Sequence, residues 1–101
     1  MTLEDYKKLF DGRPAVVKCS AEWCFPCKAL AKTLEKVEPN YPNVNFIHVD
    51  VEESPELAQE FQIQNIPVMI FMKENGEIVN RKVGLMPEKA IIAEIENLLN
   101  A

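Results

Sequence analysis

The chain has 101 residues, 48% of them hydrophobic, and a net charge of −5. That length suits one domain, residues 1–101, with one core, and the apolar share excludes a disordered chain. No block of Lys and Arg makes a basic stripe and no apolar stretch reaches bilayer length, so neither nucleic acid nor a membrane is an expected partner.

The first residues, Met1 to Tyr6, lack a basic start followed by an apolar region, so a cytoplasmic location is expected. Leu3 to Phe10 reads as a short helix, capped by Thr2 and stopped by Asp11-Gly12. Ala15 to Ser20 reads as a buried strand. After Trp23-Cys24-Phe25-Pro26-Cys27 comes a helix to Val37. Its apolar stripe is Cys27, Leu30, Ala31, Leu34 and Val37, with Lys28, Lys32, Glu35 and Lys36 facing water. Pro39 ends it. Val44 to Asp50 is a second strand. Ser54 caps a helix that opens on Pro55 and runs to about Phe61. Val68 to Lys73 is a third strand, and Asn75-Gly76 turns tightly into a fourth, Glu77 to Val83. Pro87 opens a last helix with Ile91, Ile92, Ile95, Leu98 and Leu99 on one face. The first two strands are joined through a helix, which predicts a right-handed parallel crossover. The last two form an antiparallel hairpin. The fold class is therefore α/β: a mixed four-stranded sheet with helices on both faces.

Three cysteines, two of them close together, do not form a structural disulfide framework. Cys24 falls at a helix N-terminus, where unpaired N–H groups and the macrodipole favour an anion, and the thiolate is the nucleophilic form of cysteine. The spacing to Cys27 lets the sulfurs close a small ring, so one can attack a substrate disulfide and the other resolve it. The pair could also be half of a zinc site, but the only further ligands, Cys19 and His48, lie on predicted strands; no metal is expected. Cys19 reads as a small core hydrophobe, and His48 is assigned no chemistry.

These residues resemble the thioredoxin family from about Ala15 to Leu99. Ala21-Glu22-Trp23-Cys24-x-Pro26-Cys27-Lys28 is similar to the family's active-site segment. Asn65-Ile66-Pro67 is similar to its cis-proline loop, Phe71 to Glu77 to its final hairpin, and Val83-Gly84 to the loop that flanks the site. The resemblance implies the thioredoxin fold and a protein-disulfide reductase, with Cys24 as nucleophile and Cys27 as resolving cysteine. It implies a client chain lying across Ile66, Pro67 and Gly84, with Trp23, Phe25 and Pro26 in the contact rim. The expected partners are disulfide-containing client proteins and a thioredoxin reductase. A monomer is expected, and no cofactor, because both electrons reside on sulfur.

Three departures stand out. Phe25 replaces the family's usual glycine. Lys18 stands where the family carries a buried aspartate, six residues before Cys24, and Phe46 stands where a lysine commonly accompanies it. The chain ahead of Cys24 is short, so the family's N-terminal edge strand is expected to be absent. A neutral Lys18 could take the proton of Cys27 and a charged one would stabilise a thiolate, unless it snorkels to the surface or pairs with a carboxylate. Two rival functions keep the same fold: an oxidase or isomerase of higher potential, and a redox-inactive binding module using the Trp23/Phe25 face.

Overall fold

The computed structural model describes residues 1–101. The elements in order are α1 (Leu3–Lys8), β1 (Ala15–Ser20), α2 (Phe25–Val37), a 3-10 turn (Glu38–Asn40), β2 (Asn45–Asp50), α3 (Pro55–Glu60), β3 (Val68–Met72), β4 (Ile78–Val83) and α4 (Glu88–Leu99). The four strands lie in the order β2-β1-β3-β4, with β1 and β2 parallel and the other pairs antiparallel. The mixed four-stranded sheet expected from the sequence is the one observed.

Alternation along the strands divides the core in two. Val16 on β1, with Met69 and Phe71 on β3, packs against Leu30 and Leu34 of α2 and Ile91, Ile95 and Leu98 of α4. Ala15, Val17 and Cys19 point the other way, toward Tyr6 of α1 and Leu57 of α3. β1 is central and buried on both faces, so its apolar run is almost continuous. One polar residue, Lys18, interrupts that run on the α2 side.

The element ends differ from expectation for local reasons. α1 carries a full capping box, Thr2 bonding the Asp5 amide and Asp5 bonding back. It stops at Lys8, because Leu9 and Phe10 donate to carbonyls three residues back and tighten the last turn. α2 passes into a 3-10 turn because Pro39 has no N–H to continue the ladder. β2 starts at Asn45 rather than Val44, whose amide is taken by the carbonyl of Tyr41.

Ser54 occupies the cap position of α3 without a side-chain cap bond. Its predicted capping role is not realised. Asp50 organises that loop instead, accepting from the amides of Glu52 at 2.8 Å and Glu53 at 3.2 Å. α3 ends through Gln62 in the left-handed region (φ 55°), with the Ile63 amide reaching back to Ala58. At the hairpin, Lys73 and Glu77 close a loop of Glu74, Asn75 and Gly76. Gly76 (φ 87°) takes the left-handed position that this longer loop requires.

Candidate active site

The site forms where β1 hands the chain to α2. Cys24 is the N-cap of α2 in an extended conformation, and its sulfur accepts the Cys27 amide at 3.2 Å. Pro26 supplies no N–H in that first turn, so the free amide aimed back at Cys24 is that of Cys27. The Lys28 amide donates to the Cys24 carbonyl and begins the helical ladder. Cys24 and Cys27 are disulfide-bonded, with Cα atoms 5.2 Å apart. A thiolate at Cys24 would sit against a backbone donor at the positive end of a 13-residue helix.

Both cysteines are nearly covered, 4% and 3% exposed, packed with Ala21 and against Val51 and Ile66. The residues around them are open: Trp23 is 66% and Phe25 81% exposed. The Trp23 indole N–H donates to the Glu52 carboxylate, which holds the ring beside the loop that Asp50 organises. The Lys28 ammonium lies 5.5 Å from the Phe25 ring centroid, a cation–π contact on the rim.

The second wall is the loop before β3. Gln64, Asn65 and Ile66 share a groove with Trp23, Cys24, Phe25 and Pro26. The Ile66-Pro67 bond is cis, as the resemblance implies. The Pro67 carbonyl accepts the Gly84 amide at 2.8 Å, which ties this loop to the end of β4. Gly84 sits at φ 97°. Pro67 and Gly84 thus brace the groove from behind rather than line it.

On its other side Cys27 lines a larger cavity of about 870 Å³, together with Lys18, Ala31 and Asp50. Lys18 is 7% exposed, and no carboxylate lies within ion-pair distance of it. It pairs with no carboxylate, and its amine opens on the cavity rather than being sealed from solvent. Burial drives its amine below the ordinary lysine range, against the pull of Glu38 and Glu35. Across the parallel ladder its register partner is His48. His48 is bonded through Nε2 to Glu38 at 3.3 Å. Burial, then the charge of Lys18, hold the imidazole below its usual range, and Glu38 opposes them. Phe46 is partly buried on the same side, so an apolar ring fills that position.

His48 has no chemistry of its own in the sequence, and register supplies its neighbour. Written in parallel register, Ala15-Val16-Val17-Lys18 and Asn45-Phe46-Ile47-His48 bring two titratable groups to one place on one face. Cys19 lies on the opposite face of the sheet, fully buried, with its thiol pushed up to about 11.

A family model described as Thioredoxin matches residues 2–97. The chain belongs to the thioredoxin family. It is similar to Thioredoxin H5 of Oryza sativa subsp. japonica, 42% identical over 67 residues, a span covering 66% of this chain and 50% of that protein. It is also similar to the bifunctional thioredoxin reductase/thioredoxin of Mycobacterium leprae, 34% identical over 92 residues, covering 90% of this chain and 20% of that one. The chain therefore spans half the rice relative and a fifth of the mycobacterial one. Among solved structures, Fasciola hepatica thioredoxin superposes with a TM-score of 0.86 at 32% identity, covering 95% of this chain and 93% of that chain. Within this thioredoxin frame, Phe25 stands exposed on the rim and Lys18 shares a cavity with Cys27.

Proposed function

We propose that the chain is a thiol–disulfide oxidoreductase that reduces disulfides in client proteins through Cys24 and Cys27. The observation that carries this is the Cys24–Cys27 pair across the N-terminus of α2, with the Cys27 amide bonded to the Cys24 sulfur. In the reduced protein the Cys24 thiolate attacks a client disulfide. One client sulfur leaves as thiolate, and the other is held in a mixed disulfide with Cys24. Cys27 then loses its proton and attacks Cys24, and the client is released with two electrons gained. The chain is left with its own disulfide.

The groove beside Trp23, Phe25, Pro26 and Ile66 is the docking surface in this reading, with Pro67 and Gly84 holding its far wall. Exposed aromatic area of this kind suits a client contact. Lys18 is the group that exchanges the proton of Cys27. Burial holds its amine below the ordinary lysine range beside that cysteine, which weakens its grip on a proton. A reductase returns the disulfide to the dithiol. The Mycobacterium leprae relative, whose name joins a reductase to a thioredoxin, supports that pairing. A reducing compartment such as the cytoplasm suits a pair that works as a dithiol.

The test is reduction of a protein disulfide by the dithiol form, followed with and without Cys24→Ser. The parent should act at catalytic concentration while the variant falls to the rate of the uncatalysed reductant. Equal rates overturn the proposal.

A further inference from the structure

The two cysteines line different openings. Cys24 lines the groove with Phe25, Pro26 and Ile66, and Cys27 lines the larger cavity on the other side. A thiolate attacks one sulfur of a disulfide and expels the other. The side of entry therefore decides which cysteine is attacked. The function proposed above uses only the groove.

The cavity, about 870 Å³, is left open by small residues. Ser20 ends β1, Ala21 follows it, and Ala31 lies one turn past Cys27 on α2. Its charges are sorted by burial. Lys18 is 7% exposed, and its amine opens on the cavity without an ion-pair partner. Lys28, the other lysine of the wall, is turned to the Phe25 ring at 5.5 Å, toward the groove. The carboxylates stand farther out. Asp50 is half-buried, with one oxygen held by two amides, while Glu22, Glu52 and Glu53 are exposed at the mouth. A lone anion would meet these carboxylates on entry, and a lone cation would meet Lys18 at the bottom. A small zwitterion suits both ends. Its ammonium would sit among the carboxylates and its own carboxylate on Lys18, whose amine an anion draws to the charged form.

We propose that this cavity admits small thiols carrying an α-amino-acid head group, and that they reduce the chain from the Cys27 side. This rests on the dithiol reading above. The bound thiolate attacks the Cys27 sulfur. The Cys24–Cys27 bond breaks, and Cys24 leaves as a thiolate at the positive end of α2, which makes it the better leaving group. Cys27 is then held in a mixed disulfide with the small thiol. A second molecule of the thiol attacks the small-molecule sulfur of that bond. The small-molecule disulfide leaves, and Cys27 is released as a thiolate. Two small thiols lose two electrons, the chain gains both as its dithiol, and the two thiol protons pass through solvent.

The first measurement is binding of inert probes to the oxidised full chain. It is read from heteronuclear spectra of the Trp23 indole N–H, the single tryptophan, and of the Ala21 and Ala31 amides. The probes are S-methylcysteine, methylthioethylamine, which lacks the carboxylate, and methylthiopropionate, which lacks the ammonium. S-methylcysteine should bind about tenfold tighter than either half-molecule. Lys18→Met should remove its advantage over the amine, and Lys18→Arg should keep it. No shift with any probe, equal binding of all three, or an advantage that survives Lys18→Met overturns the inference.

The second measurement locates the first mixed disulfide. The oxidised chain is mixed with excess free cysteine, quenched in acid at short times and mapped by fragmentation mass spectrometry. The adduct should lie on Cys27, and an adduct on Cys24 alone overturns the inference. A chain that binds the probes as expected, yet whose dithiol form reduces no protein disulfide, contradicts instead the reading on which the inference rests.

Discussion

Lys18 is held 7% exposed with no carboxylate in contact, so folding removes much of the water around its side chain and gives nothing ionic back. Lys18→Met should therefore raise the unfolding free energy of the oxidised chain by about 1 kcal/mol near neutral pH. The folded amine titrates below the ordinary 10.5, so the folded state binds fewer protons than the unfolded one in that range. The gain should be greatest at low pH and fade as pH approaches 10.5, which denaturant titrations at several pH values will check. Cys19 has the opposite sign. Its thiol is pushed up from 9.0 to about 11 by burial, so its contribution is complete below pH 9.0 and lost toward pH 11. In the oxidised chain, Cys19→Ala should flatten the alkaline loss of stability over that window. Tyr6, also pushed up by burial, keeps part of the slope. The sequence alone marked Lys18 as anomalous because a lysine breaks an apolar strand. The place of His48 depends on register with Lys18, a relation between two segments that neither segment states alone.

The helices and turns were legible where the signal is local. The Thr2 cap, the stop at Pro39, the opening of α3 at Pro55 and the stripe of α4 all follow from residues next to one another. Ile95 on that stripe is fully buried between α4 and the sheet. Ile95→Ala should cost about 2–5 kcal/mol, read as a shift in denaturant midpoint without a change in slope. The ends that were misplaced depend on partners outside the element. The Val44 amide is drawn into a turn, Ser54 loses its capping role because Asp50 holds the loop, and Gln62 adopts a left-handed conformation with no glycine to announce it. Gly84 is a glycine with a requirement: at φ 97°, its amide donates to Pro67 and so braces the wall of the groove. Gly84→Val should cost about 1–3 kcal/mol through backbone strain alone. If Gly84 also braces the docking wall, the same variant should raise KM for a protein disulfide more than it lowers kcat.

At the scale of the whole molecule, topology gathers separate segments at one end of the sheet: the β1–α2 junction, the loop before β3 and the end of β4. The cysteine pair and its helix were legible because the spacing is local and its chemistry is specific. The braced groove was legible only through resemblance, since nothing in Ile66-Pro67 or Val83-Gly84 states that they meet. The coverage of the sulfurs was not legible at all; an exposed aromatic rim around two almost fully buried cysteines is a property of the packed molecule. The central claim is that this pair works as a reductant. The measurement that tests it most directly is the reduction potential of the Cys24–Cys27 couple, by equilibration of the full chain in thiol–disulfide buffers of known poise. A dithiol that reduces client proteins in a reducing compartment should equilibrate at a potential more negative than about −230 mV, whereas a value at or above about −180 mV would make the chain an oxidant or isomerase and contradict the account.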